Sequence, residues 1–313
     1  MTIAFTFPGQ GSQFIGMGRE LTQAFPSARH VFEEIDEALG EKLSKIILEG
    51  PVETLTLTQN TQPALMAVSL AVTRALDVEF GVRISEKVEF VAGHSLGEYS
   101  ALAAAGALGV ADTARLLRLR GLAMQKAVPV GEGAMAALLG IDLAGAEAAA
   151  AEGAEGEVCS VANDNADGQV VISGNKAAVE RAIEIAKAKG SKRAMLLPVS
   201  APFHCALMQP AADAMAEALK HVVIRVPAAP VVANVTASAV SDPEEIKRLL
   251  VSQVTGVVRW RECVLYMAAQ GVDRLVELGA GKVLTGMVKR IHPDVAAVSL
   301  QTPADLEEFA KSL

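Results

Sequence analysis

The stretch Val88-Glu89-Phe90-Val91-Ala92-Gly93-His94-Ser95-Leu96-Gly97-Glu98 decides how the whole chain is read. Residues 88–92 form a short apolar-rich run that predicts a strand ending at Gly93, and the apolar run after it predicts a helix from Leu96 to about Ala107. Between them lies the pattern G-x-S-x-G. A chain that passes from strand to helix in so few residues brings backbone against backbone. Glycines two residues either side of the serine permit that approach, and the serine hydroxyl projects from the end of the sheet. The first amides of the helix have no partner within it and carry its partial positive charge, so an oxyanion forming beside Ser95 would meet donors.

The same grammar extends outward. Ile3 to Phe7 reads as a strand that stops at Pro8 and is followed by a glycine turn. Arg29–Leu39, Gln62–Phe80 and Asp112–Val128 carry apolar residues at three- and four-residue spacing, as helices covering a sheet do. The predicted fold class is α/β, a parallel sheet between layers of helix. One segment has another rhythm. Strand Ala134–Leu139, helix Leu143–Ala151, strands Glu157–Asn163 and Gln169–Ser173, helix Lys176–Lys189 and strand Arg193–Val199 spell βαββαβ, the split pattern of a ferredoxin-like unit. The expected organisation is a large domain, residues 1–132 and 200–313, interrupted by a small one, residues 133–199. Beyond it the reading resumes with Val222–Val226, a Pro227–Pro230 break, Val231–Asn234, helices Pro243–Val254 and Trp260–Gln270, and strand Arg274–Glu277.

A serine nucleophile needs a base. Of five histidines, His94 adjoins the serine and points elsewhere, His30 and His221 belong to helices, and His292 precedes Pro293. His204 sits in Ser200-Ala201-Pro202-Phe203-His204-Cys205, a loop between the small unit and the main sheet, where pockets form. No acidic residue stands out as its partner, and His204 comes too early for an ordinary α/β-hydrolase order. Two nucleotide motifs fail: Phe14 occupies the third glycine position after Gly9 and Gly11, and Val276 and Val283 replace the first Gly and the Ser/Thr of a phosphate loop at Gly281-Lys282. Gln10, flanked by glycines, is equally a structural turn and a place where an amide could face a ligand.

Composition narrows the function. Lys and Arg number 28 against 36 Asp and Glu, a net charge of −8, which argues against a non-specific nucleic-acid binder. One Trp and two Tyr offer little for base stacking. The longest uninterrupted apolar or glycine run, Ala101 to Ala111, is too short for a membrane span. The N-terminus shows no secretion pattern. Cys159, Cys205 and Cys263 are odd in number and lack metal-type spacing, so neither disulfides nor a metal site are expected and a cytoplasmic location is.

Taken together, Phe7-Pro8-Gly9-Gln10-Gly11-Ser12-Gln13, Gly93-His94-Ser95-Leu96-Gly97-Glu98, Arg120-Gly121 with Met124-Gln125, Phe203-His204 and Gly279-Ala280-Gly281-Lys282-Val283-Leu284 resemble the malonyl-CoA:acyl-carrier-protein transacylases across essentially the whole chain. The resemblance implies an α/β-hydrolase-like large domain with an inserted ferredoxin-like one. It implies that Ser95 is acylated by malonyl-CoA, that His204 is general base and then acid, and that the Gln253 carbonyl orients His204 in place of a carboxylate. It further implies an oxyanion hole from the Gln10 and Leu96 amides. Arg120 would pair with the malonyl carboxylate, Phe203 would crowd a 2-methyl branch, and Met124 would wall the pocket. No permanently bound cofactor is implied. The partner implied is holo acyl carrier protein, and the chain is expected to act as a monomer, with no nucleic acid or membrane partner. Because such carriers are acidic, docking calls for a local basic face, with Lys192-Arg193, Arg259 with Arg261, and Lys282 with Lys289-Arg290 as candidates. Ala280 departs from the proline usual in the family's GPGKVL loop.

Overall fold

Odd and even residues of the first strand serve two different cores. Ile3, Phe5 and Phe7 pack with Leu65, Val68, Leu102 and Leu117, whereas Ala4 packs with Trp260, Val264 and Met287. Val91 joins the first group, and Phe90 and Ala92 the second. A strand covered on both faces loses the apolar–polar alternation of a half-exposed strand and reads as a continuous apolar run. That is why these strands were visible as runs.

The computed structural model describes residues 2–313. Its strands are β1 (Ile3–Phe7), β2 (Phe90–Gly93), β3 (Gly133–Leu139), β4 (Cys159–Ala166), β5 (Gln169–Asn175), β6 (Arg193–Leu196), β7 (Val231–Ala233), β8 (Ser238–Val240), β9 (Arg274–Leu278) and β10 (Ala296–Leu300). Six of them form one sheet in the order β10-β9-β1-β2-β7-β8, parallel from β10 to β7. The edge strand β8 runs antiparallel to β7, so the sheet is mixed rather than wholly parallel. Phe7 stands opposite Gly93, and Thr6 opposite Glu277, which aligns the C-terminal ends of the three central strands. Ligands of open α/β sheets bind at such ends.

The other four strands make a separate antiparallel sheet, order β4-β5-β3-β6. Helices Leu143–Ala154 and Lys176–Ala188 cover one face of it through small residues, Ala146, Ala149, Ala150 and Ala182. Met135, Ala162 and Val171 on this sheet pack instead into the large core. The small sheet is also laced to the segment that enters helix Trp260–Ala269 of the large unit, with Asp164 N donating to Val258 O at 3.0 Å, Val258 N to Ala162 O at 2.9 Å, and Arg261 Nη2 meeting Asp164 Oδ2 at 2.9 Å.

The βαββαβ order is observed, with shifted ends. β6 stops at Leu196, ahead of Pro198, where a strand to Val199 was expected. β2 begins at Phe90 because Val88 closes the short helix Ile84–Lys87. The helix after Ser95 ends at Ala104, since Gly106 turns into the left-handed region at φ 74°. The expected strand Val222–Val226 does not form. Arg225 N and Ala228 N donate to Ala107 O and Ala105 O, Val223 and Val226 are exposed, and Pro227 has no donor to offer. Strands β8 and β10 were not read from the sequence. Among the described residues no helix is long and apolar enough to cross a membrane.

Candidate active site

The turn after β2 closes as tightly as its glycines allow. A Cβ on Gly93 would lie 1.9 Å from Gly97 O, and one on Gly97 would lie 2.2 Å from Phe7 O. No side chain fits either space. Ser95 between them adopts φ 54°, ψ −110°, a conformation few L-residues accept. Asn234, which follows β7, holds it there. Its Oδ1 accepts from Ser95 N at 2.8 Å and its Nδ2 donates to Gly93 O at 2.7 Å.

His204 Nε2 lies 2.8 Å from Ser95 Oγ. Its Nδ1 is 2.9 Å from the main-chain oxygen of Gln253, which can only accept, so Nδ1 carries the proton and Nε2 is free to accept from the serine. No carboxylate is involved. His204 is 4% exposed, and burial, with the positive charge of Arg120 beside it, lowers its pKa to about 3. The neighbouring His94 points away, as expected from adjacency: its Nε2 meets Asn165 Oδ1 on the small sheet at 2.8 Å.

Arg120 is the third member. It lies on helix Val110–Ala127, whose other two arginines are engaged elsewhere: the exposed Arg115 pairs with Asp112 at 3.0 Å, and the half-buried Arg118 with Glu41 and Asn60. Arg120 alone is fully buried. Its Nη2 donates to Ser95 Oγ at 3.2 Å and to Gln253 Oε1 at 2.9 Å, and its Nη1 donates to Gln62 Oε1 at 2.9 Å. The guanidinium carbon stands 5.6 Å over the Tyr99 ring. Burial pulls its pKa below the usual arginine value, as a charge taken from water must.

Gln253 thus serves two neighbours, His204 through its carbonyl and Arg120 through its side chain. Met124 is buried, and its sulfur receives Gln62 Nε2 at 3.7 Å. Phe203, just ahead of His204, is also buried. Leu96 N opens the helix after Ser95, and Gln10 lies in the turn after β1. Neither amide has a protein acceptor among the described residues.

Three polar residues of this cluster escaped the sequence reading. Gln62 and Asn234 hold Arg120 and Ser95 directly. Glu98, seen only as part of the glycine motif, accepts from Asn234 N at 2.9 Å and from Gln253 Nε2 at 3.0 Å. A signal existed for Asn234: a polar residue closing an apolar strand at the C-terminal edge of a parallel sheet.

A partly exposed serine paired with a buried imidazole, beside a buried guanidinium, can form and break an acyl ester on a substrate that carries a negative charge. Comparison with known proteins agrees with that chemistry. Residues 4–302 match the acyl transferase domain family. The malonyl CoA-acyl carrier protein transacylase of Escherichia coli (strain K12) is 48% identical over 96% of both chains. The crystal structure of an acyl-carrier-protein-S-malonyltransferase from Bartonella henselae superposes with a TM-score of 0.98 at 58% identity, covering 100% of this chain and 99% of that one. A type II PKS acyl-carrier protein in complex with its malonyl-transacylase gives 0.96 at 44% identity over the full length of both. The chain belongs to the acyl transferase domain family.

Proposed function

We propose that this protein transfers the malonyl group of malonyl-CoA to the phosphopantetheine thiol of an acyl carrier protein through a malonyl ester on Ser95. The observation that carries the reading is the position of one buried guanidinium, Arg120, within 3.2 Å of a serine oxygen that also meets an imidazole nitrogen. A hydrolase acting on neutral esters gains nothing from that charge. A malonyl thioester brings a carboxylate to meet it.

In the first half-reaction Ser95 gives its proton to His204 Nε2 as Oγ attacks the thioester carbon. The Gln10 and Leu96 amides receive the oxyanion. Its collapse breaks the carbon–sulfur bond, and His204 returns the proton to the CoA sulfur. The second half runs in reverse with the carrier's thiol as nucleophile and Ser95 as leaving group. Charge-assisted hydrogen bonds from Arg120 are worth about 1.5–3 kcal/mol each, so an acetyl group, which makes none, is a poor substrate. Phe203 and Met124 wall the acyl site, with Phe203 set against a 2-methyl branch. The malonyl carboxylate also offsets the positive charge that depresses His204, so the base strengthens once substrate is in place.

Residues 133–199 are proposed as an inserted domain in a core of residues 1–132 and 200–313, acting as a cytoplasmic monomer. Support for the boundaries comes from sheet membership, which changes at those points. Of the basic pairs considered for carrier docking, Arg259 and Arg261 are engaged by Glu262 and by Asp164. We assign docking to Lys282, Lys289 and Arg290, all exposed around helix Val283–Ile291. One experiment tests both parts. By intact mass, malonyl-CoA should add one malonyl group, which holo carrier protein then removes and which never forms on Ser95→Ala. Lys289→Glu with Arg290→Glu should slow only the removal. Release of free malonate without a carrier, or slowing of both steps together, would count against the reading.

A further inference from the structure

Arg120 and Glu98 are both 1% exposed, and neither has an opposite charge within ion-pair distance among the described residues. What joins them is one amide. Gln253 Oε1 accepts from Arg120 Nη2 at 2.9 Å, while Gln253 Nε2 donates to Glu98 Oε2 at 3.0 Å. The amide has only one workable orientation, because a flip would set its NH2 against the guanidinium and its oxygen against the carboxylate. Asn234 N holds the same carboxylate oxygen at 2.9 Å. A direct arginine–carboxylate pair would close fork to fork and leave the guanidinium saturated. Held one amide away, the carboxylate still offsets the burial of the cation but leaves the guanidinium able to take a second carboxylate.

We propose that Glu98 is the counter-charge of Arg120, coupled to it through the Gln253 side chain, and that this bridged pair limits how tightly the site grips a substrate carboxylate. The inference rests on the assignment of Arg120 to the malonyl carboxylate. Glu98 is a positioning residue, since it acts through Gln253. Burial lifts its pKa to about 7. The other ionisable groups that face it are Arg120, Tyr99 on its own helix and Cys263 from helix Trp260–Ala269. Burial holds the Tyr99 hydroxyl and the Cys263 thiol above their ordinary values, so neither ionises near neutral pH.

The test is the affinity of free malonate for the whole protein by calorimetry at pH 8, where Glu98 is ionised. Glu98→Gln keeps an acceptor oxygen for both donors and removes the charge. It should bind malonate at least about fivefold more tightly, the lower end of ordinary coupling between sites. Glu98→Asp, which keeps the charge, should stay near the wild type. A purely structural role predicts weaker binding in both variants, and unchanged or weaker binding by a folded Glu98→Gln overturns the proposal. Should Glu98→Gln not fold, methanesulfonate, ionised at every pH used, should bind the wild type more tightly at pH 6 than at pH 8, and the reverse overturns it. Failure of the underlying assignment has a different signature: malonate affinity would then be the same in Arg120→Ala as in the wild type.

Discussion

The two sheets solve the same packing problem in opposite ways. Every residue of β1, β2 and β7 is buried, with helices on both faces, whereas β6 at the edge of the small sheet has no fully buried residue and Leu196 is 44% exposed. Ser95, Asn234 and the Gln10 turn follow central strands of the large sheet directly. The small sheet contributes polar supports from its edge strand: Asn165 to His94, and Asp164 to Arg261. A sheet sealed on both faces can exclude water from its strand ends, which is where charge and strain are concentrated here.

Two comparable steric insults separate these roles. A Cβ on Gly97 would lie 2.2 Å from Phe7 O, and a Cβ on Gly174 of β5 would lie 1.9 Å from Val158 O. Each alanine forces backbone apart and should cost about 3 kcal/mol, at the upper end for overpacking. The melting temperature of both variants should fall by similar amounts. Only Gly97→Ala should also lose acylation of Ser95, by at least about a hundredfold at a temperature where both remain folded, since a shift near 1 Å at a nucleophile costs that much. Equal losses of acylation in the two would mean that the small sheet shapes the site as directly as the large one.

The dryness of the site has a reading in pH. His204 is held to a pKa of about 3 in the free protein, so its basic form persists as pH falls through the ordinary histidine range. Inactivation by an uncharged, serine-directed fluorophosphonate should therefore stay nearly flat between about pH 5.5 and 7.5, instead of halving near pH 6.5. An inflection at the ordinary value would show that water reaches the imidazole.

What the sequence revealed follows the same division. Strand, glycine turn and helix around Ser95 are local features, and so is the βαββαβ rhythm. His204 was readable because its loop falls at a junction. Arg120 was not distinguishable by spacing from Arg115 and Arg118; only the family motif singled it out. The physical reason lies one residue on: a Cβ on Gly121 would come 2.5 Å from Gln59 Cα, so its absence lets helix Val110–Ala127 lie against the start of helix Thr58–Phe80, where Gln62 receives the guanidinium. Glu98 and Gln253 are 155 positions apart. No local pattern encodes such a contact. The expected strand Val222–Val226 failed for the converse reason, since a locally plausible run found its hydrogen bonds at Ala105 and Ala107 and not in a sheet.

The seam between the sheets yields the smallest effect and the sharpest test of their division of labour. Arg261 meets the carboxylate of Asp164, whose side chain is 2% exposed, while its own is 24% exposed. Arg261→Ala strands a buried carboxylate, but the bonds from Asp164 N to Val258 O and from Val258 N to Ala162 O persist, and water can enter where the arginine lay. The loss should be about 1–2 kcal/mol, below the cost of breaking a fully buried pair, and visible as a modest fall in melting temperature. Serine acylation by malonyl-CoA should stay within about twofold of the wild type, because additivity holds between sites that share no partner. If acylation instead falls along with stability, the contact from Asn165 to His94 transmits the displacement to the residue next to Ser95, and the small sheet belongs to the catalytic apparatus rather than to its support.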